Sequence, residues 1–244
     1  MMKRIGLLGL SNPCSKERVQ KTLTFLKTLP VEVVISDWIS QHSTGKQRAE
    51  IFNQMMGKNL DYVFDLSGGD LANEVLPYID YEIYAQSKTI FHGYSDVTCV
   101  LNALASYRPC VLFQLAGNTN TDLIRQYILE EDHSLICSHA LGGNIRCLLK
   151  LAGTKYWPQL DGQVLLLESY SGSMEKIRAY FAQLDQLQVF EKVQTLILAQ
   201  FTELDQNERR MELLELAQSY GLLIDQLPQV GHSSNALAVK ICRK

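Results

Sequence analysis

Short apolar runs alternate with amphipathic stretches along most of this chain, and that alternation narrows the possible folds more than any other feature. The runs Ile5 to Leu10, Val31 to Ser36, Tyr62 to Leu66, Thr89 to His92 and Pro109 to Phe113 have the length and composition of strands. Between them lie Lys16 to Leu29, Thr44 to Met56, Leu71 to Tyr78 and Val97 to Tyr107, each with apolar residues at helical spacing. A strand covered by helices on both faces reads as a continuous apolar run, whereas a half-exposed strand alternates. The pattern therefore predicts an α/β fold built on a mostly parallel, doubly wound sheet. Residues 117–132 interrupt it with Gly-Asn-Thr-Asn-Thr-Asp, one helix and Glu-Glu-Asp. We place a linker over 117–135, between an N-terminal α/β domain at 1–116 and a smaller C-terminal β/α domain at 136–244. The latter should hold a helix after Gly142-Gly143-Asn144, strands at Gln163 to Glu168, Thr195 to Phe201 and Ala236 to Cys242, and helices at Ser173 to Gln186 and Glu208 to Tyr220.

With 244 residues, 46% of them hydrophobic, the chain can bury a core without staples. A formal charge of −3 and the lack of any Lys/Arg run give no field for a phosphate backbone, so nucleic acid is not an expected partner. No apolar segment approaches the roughly 20 residues that span a bilayer, so no membrane partner is expected either. The start, Met-Met-Lys-Arg-Ile-Gly-Leu-Leu-Gly-Leu, is cut by Ser11-Asn12-Pro13 and reads as a first strand rather than a signal peptide. Cysteines at 14, 99, 110, 137, 147 and 242 form no CxxC pair, which suits a reducing cytoplasm. His133 and His139 flank Cys137, yet neither they nor His42 and His92 show zinc spacing, and no metal or other cofactor is expected.

Three segments carry chemistry. In Phe91-His92-Gly93-Tyr94-Ser95-Asp96-Val97-Thr98 an apolar strand passes through glycine into a serine and then into a helix. Such a turn lifts the serine out of the sheet and sets free helix amides behind it, an arrangement suited to acyl transfer. Val97 stands where G-x-S-x-G has its second glycine, and an N-cap serine fits the same spacing. Asp65-Leu66-Ser67-Gly68-Gly69-Asp70 lies at the carboxyl end of an earlier strand, the edge where open α/β sheets bind ligands, although paired glycines also make ordinary turns. His232, in Val230-Gly231-His232-Ser233-Ser234, precedes the last strand and could be a base or a solvated loop histidine. Glu168 ends the apolar strand Leu165-Leu166-Leu167, a costly place for an unpartnered charge, so it is the candidate to orient the base.

Together these segments resemble the LD-carboxypeptidase family, which includes muramoyl-tetrapeptide carboxypeptidases and microcin C self-immunity peptidases. The resemblance is carried by Gly93-Tyr94-Ser95-Asp96-Val97-Thr98, the preceding Gly-Gly turn, Leu76 to Tyr81, Gly142-Gly143-Asn144, Leu151-Ala152-Gly153-Thr154, Asp161-Gly162 followed by Leu165 to Glu168, and Gly231-His232. It implies Ser95 as nucleophile, His232 as general base, Glu168 as the group orienting it, and the amides of Gly69 and Asp96 as the oxyanion hole. It also implies an N-terminal flavodoxin-like domain joined to a smaller swivelling β/α domain, with the site between them, and a homodimer.

The chain departs from the family pattern at loops that face the substrate. Ser67 stands where an arginine usually precedes the Gly-Gly pair, Asp70-Leu71 replaces an aromatic and a glycine, and Phe113-Gln114-Leu115-Ala116-Gly117 replaces a His-Gly-Pro turn. Ser169-Tyr170 follows Glu168 in place of an acidic continuation. The expected substrate is a small peptide or peptidyl-nucleotide. One form is a murein tetrapeptide losing its terminal D-alanine through L,D-peptide cleavage, and another is an aminoacyl-nucleotide toxin. An α/β protein that binds a ligand without chemistry is the alternative from another class.

Overall fold

The computed structural model describes residues 2–243. The apolar runs of the first half form β1 (Lys3–Leu8), β2 (Val31–Ile35), β3 (Tyr62–Asp65), β4 (Ile90–Gly93) and β5 (Cys110–Leu112). Between them run α1 (Lys16–Leu26), α2 (Gly45–Met56), α3 (Tyr81–Gln86) and α4 (Thr98–Leu104). Ser15 caps α1 by accepting from the Arg18 amide, and Thr44 and Gln47 close a capping box on α2. Leu71 to Tyr78, expected as a helix, is a 3₁₀ helix over Ala72–Tyr78 with Pro77 inside it. Proline removes the donor that a longer α-helix would need there.

The second half continues with α5 (Thr121–Glu130), β6 (Ile136–Asn144), α6 (Ile145–Leu149), β7 (Val164–Ser169), α7 (Met174–Gln186), α8 (Val189–Lys192), β8 (Thr195–Phe201), α9 (Thr202–Gln206), α10 (Arg210–Gln218), β9 (Ile224–Gln226) and β10 (Ala238–Ile241). Strand β6 was not expected, because Cys137-Ser138-His139 and the paired glycines hide its period. The pairing explains the glycine: a Cβ on Gly142 would lie 2.1 Å from the Leu166 carbonyl of the neighbouring strand.

Among the described residues all ten strands join one sheet in the order β2-β1-β3-β4-β5-β10-β6-β7-β8-β9. The last strand of the chain is its centre. β10 runs antiparallel to β5, with Val239 opposite Leu112, and parallel to β6, whereas every other pairing is parallel. The expected α/β architecture with a mostly parallel sheet is what forms. One apolar layer runs across both halves and includes Phe52, Val100, Leu148, Leu166 and Phe181. The other covers the first half, where Ile124, Tyr127 and Ile128 of α5 pack with Ile5, Leu7 and Phe64. The polar segment at 117–135 thus contributes a covering helix.

His92 on β4 is fully buried in that second layer, stacked on Phe64 with ring centroids 4.2 Å apart. Its Nδ1–H donates to the Val63 carbonyl (3.3 Å), which leaves Nε2 to accept from the Tyr127 hydroxyl at 2.7 Å. Burial pushes its pKa down to about 3. The unfolded chain therefore binds this proton more readily, and stability is lost as pH falls below the ordinary histidine value. We expect this group to cost about 3 kcal/mol between pH 7 and pH 4. Urea unfolding at the two pH values checks it. His92→Phe should be less stable at neutral pH, with Tyr127 unpaired, but should lose less on acidification.

Candidate active site

Ser95 sits where β4 turns into α4, on a short 3₁₀ turn over Ser95–Val97. Its φ is 53°, a left-handed conformation that a serine adopts at a cost of order 1 kcal/mol or more. The strand can turn this tightly because residue 93 is glycine: a Cβ there would lie 2.6 Å from Val97 Cγ1. The neighbouring Asp96 is fully buried and locks the turn. Its carboxylate accepts from the Ser11 hydroxyl (2.6 Å) and the Ala72 amide (2.8 Å), and it pairs with Lys150 at the C-cap of α6.

The Gly68-Gly69 turn after β3 lies against the same serine. A Cβ built on Gly68 would be 3.9 Å from Ser95 Oγ. Gly69 has φ 122°, and a side chain there would collide with Asn12. Asn12 fastens the turn, donating its amide to the Gly68 carbonyl and accepting from the Asp70 amide at 2.9 Å. From the other half of the chain Arg146 pairs with Asp70 and donates to the Gly69 carbonyl at 3.0 Å, while Lys150 donates to the Asp70 carbonyl at 2.8 Å. Ser67, at the position of the expected arginine, is buried: its amide and hydroxyl donate to Asp65, and its Oγ accepts from the Ser11 amide.

His232 stands on a loop shaped by Gln200 at the end of β8. The Gln200 side-chain oxygen accepts from the amides of His232 and Ser233, both at 3.0 Å. Nδ1 of His232 meets Glu168 Oε2 at 2.9 Å, and Glu168 is 1% exposed. Burial by itself would lower the His232 pKa, but the adjoining carboxylate outweighs burial and the nearby Arg18 charge and holds it above the ordinary value. With Nδ1–H donated to the carboxylate, the Nε2 lone pair faces away from it. Nε2 is buried and makes no hydrogen bond. The rings of Tyr94 and Tyr170 pack on the imidazole at centroid distances of 5.9 and 5.1 Å.

Ser95, Glu168 and His232 line one small cavity, and Ser95 and His232 also face a wider cleft of about 540 Å³ with Gly68 and Gly69. The structure joins His232 to Glu168 directly, while Ser95 Oγ shares the cleft without a hydrogen bond to Nε2. Such contacts often tighten only when substrate binds. Asp96 contributes its carboxylate to the turn rather than to His232. Sequence reasoning did not single out Gln200, Lys150 or Arg18. Gln200 carried the same signal as Glu168, a polar residue at the end of an apolar strand. Among the described residues no cluster of three or more His, Cys, Asp or Glu could hold a metal ion.

Comparison with known proteins gives this geometry a lineage. The LD-carboxypeptidase N-terminal domain matches residues 5–114, and the LD-carboxypeptidase C-terminal domain matches residues 138–243. The chain belongs to the LD-carboxypeptidase family. It is 24% identical to the microcin C7 self-immunity protein of Escherichia coli, over 80% of this chain and 74% of that one. Solved structures of the microcin C7 self-immunity protein superpose with a TM-score of 0.83 at 18% identity, covering 98% of this chain and 91% of theirs. One of them holds aspartyl sulfamoyl adenosine and another glutamyl sulfamoyl guanosine. A muramoyltetrapeptide carboxypeptidase from Oxalobacter formigenes superposes with a TM-score of 0.82 at 18% identity, over 98% of this chain and 92% of that one. These likenesses give the fold of this family member, a mixed α/β two-domain architecture. Among the described residues no helix is long and apolar enough to cross a membrane.

Proposed function

We propose that this LD-carboxypeptidase-family chain is a serine peptidase that removes the terminal residue of a small peptide, with Ser95 as nucleophile, His232 as general base and Glu168 as its orienting carboxylate. The observation that carries the proposal is the state of His232: one ring nitrogen bonded to a buried carboxylate, the other buried and unbonded, on a cleft that also exposes a serine held at positive φ. A histidine held this way is a base oriented for the proton of a nucleophile. The division of labour follows the chain, with Ser95 from residues 1–116 and Glu168 and His232 from residues 136–244. The family resemblance further supports a cytoplasmic homodimer.

The steps follow from these groups. The Ser95 hydroxyl approaches Nε2 and gives up its proton as Oγ attacks the scissile carbonyl. The amides of Gly69 and Asp96 hold the resulting oxyanion, and Glu168 stabilises the imidazolium. Nε2–H then protonates the leaving amine, which departs with its carboxylate. A water enters, gives its proton to Nε2 and attacks the acyl carbonyl; collapse of that second intermediate returns the proton to Ser95 and frees the shortened peptide.

The preferred substrate is a murein tetrapeptide cleaved at its terminal L,D bond. A second reading, cleavage of aminoacyl-nucleotide compounds, is favoured by the ligands found in the microcin C7 self-immunity structures. Incubating the protein with murein tetrapeptide and with aminoacyl sulfamoyl adenosines, and reading the products by mass, tests both. Release of D-alanine supports the first, and release of a free amino acid from the nucleotide supports the second. Intact compounds in both arms, from folded protein, overturn the peptidase proposal.

The pH dependence is fixed by His232. Only the neutral imidazole accepts a proton, and Glu168 holds its pKa above 6.5. kcat/KM should therefore rise with pH along a limb whose midpoint lies above 6.5. A flat profile from about pH 5 to pH 8 with chemistry rate-limiting would remove His232 from the role.

A further inference from the structure

The cleft shared by Ser95 and His232 is also lined by Arg18, and no Asp or Glu lines it among the described residues. Arg18 is on the first turn of α1, and its Nη1 donates to the Tyr94 hydroxyl at 2.6 Å and to the Leu66 carbonyl at 3.4 Å. These bonds fix one corner of the guanidinium against the wall. Among the described residues no carboxylate pairs with it, whereas Arg146, at the far side of the Gly68-Gly69 turn, is paired with Asp70. A guanidinium presents five donors in a planar fork that matches the two oxygens of a carboxylate. Arg18 has spent one nitrogen on holding its place and keeps the rest of that fork.

The surroundings make its charge more telling. Ser67, where the family pattern has an arginine, is buried on Asp65 and Ser11 and brings no cation to the cleft. Lys150, the cation that reaches Asp96, is spent on Asp96 and the Asp70 carbonyl. The only full positive charge on the cleft wall among the described residues is therefore Arg18, beside a serine and a histidine.

We propose that Arg18 binds the free carboxylate of the substrate and so limits this site to acid-terminated peptides. The proposal deepens the peptidase reading and rests on it for the identity of the cleft as the substrate site. Arg18 acts here as a specificity residue: it grips the end of the peptide to be released and leaves the bond-breaking groups to Ser95 and His232. Its bond to Tyr94, the residue before Ser95, ties the grip to the turn that carries the hydroxyl.

The test separates this proposal from the reading beneath it by measuring binding without turnover. Calorimetric titration of Ser95→Ala with murein tetrapeptide and with its C-terminal amide compares the two ends of the same ligand. The acid should bind on the order of 10- to 100-fold more tightly, the range of a charge-assisted bidentate contact. In Ser95→Ala/Arg18→Gln that preference should vanish, with the affinity for the amide unchanged, and Arg18→Lys should restore part of it. A purely structural Arg18 would weaken both ligands alike. Equal affinities for acid and amide on Ser95→Ala, a preference that survives Arg18→Gln, or binding of neither ligand overturns the proposal. Preference for the acid together with a wild-type protein that cleaves neither ligand would keep Arg18 in this role and overturn the peptidase reading instead.

Discussion

Ser95→Ala should lower hydrolysis on the order of 10⁴-fold or more while leaving the melting temperature close to that of the wild type. The large kinetic effect follows because the other hydroxyls near that turn are engaged elsewhere: Tyr94, which also lies beside Gly68 and the imidazole, accepts from Arg18, and Ser11 and Ser67 are buried in hydrogen bonds to Asp96 and Asp65. The small thermal effect follows because the Ser95 side chain fills no core space and its position at φ 53° is as strained for alanine as for serine. Ser95→Gly makes the second half of the argument testable. Glycine takes positive φ freely, so that variant should be equally inactive yet more stable than Ser95→Ala, by about 1 kcal/mol. Turnover assays and thermal melts of the two variants give both readouts. Retained hydrolysis in folded Ser95→Ala would remove the serine from the mechanism, and a less stable Ser95→Gly would show that the turn is not strained.

The strands and helices that build this site were readable to the degree that their burial is one-sided in kind. β1, β3, β7 and β8 are buried along nearly their whole length, so their sequences are continuous apolar runs that admit little else. β6 is the counter-example. Its first residues alternate between half-buried and exposed and its last are glycines that pass under Leu166 and against Thr98, so neither apolarity nor period marks it. β9 is only three residues long and mostly exposed at the sheet edge, which leaves no pattern to detect. The site itself divides in the same way. Ser95 and Glu168 sit at the ends of recognisable strands and His232 on the loop that leads into the last one, so all three could be named. Their supports could not: Gln200 bonding two amides, Lys150 reaching Asp96, and Arg18 reaching Tyr94 are contacts between elements distant in the chain. A side chain's chemistry is written in the sequence, but the partner it meets depends on a sheet order in which the last strand inserts between β5 and β6.

Glu168→Gln should fold and should lose about 10²- to 10⁴-fold in turnover, with a much smaller change in substrate affinity. The carboxylate is 1% exposed and bonded through Oε2 to His232 Nδ1, so it has no direct path to a ligand in the cleft. The amide keeps the shape but offers either an acceptor or a donor to Nδ1. As a donor it favours the tautomer with the proton on Nε2, which cannot take the proton of Ser95; as an acceptor it keeps the tautomer but no longer balances the imidazolium. Removing the charge also removes what holds the His232 pKa up, and burial then acts unopposed. The rising limb of kcat/KM should therefore move to lower pH in the variant even as its plateau falls. Stability gives an independent check with a defined sign. A histidine whose folded pKa is raised contributes stability that is fully present below its unfolded value and is lost as pH rises through the folded value. The wild type should thus exceed Glu168→Gln in stability most clearly at mildly acidic pH, and the gap should narrow toward alkaline pH. These three readouts, turnover, limb position and the pH course of the stability gap, all depend on one hydrogen bond. Near-normal turnover with an unmoved limb would show that Glu168 does not govern His232. Since no other carboxylate bonds that ring among the described residues, the assignment of His232 as an oriented base would fall with it.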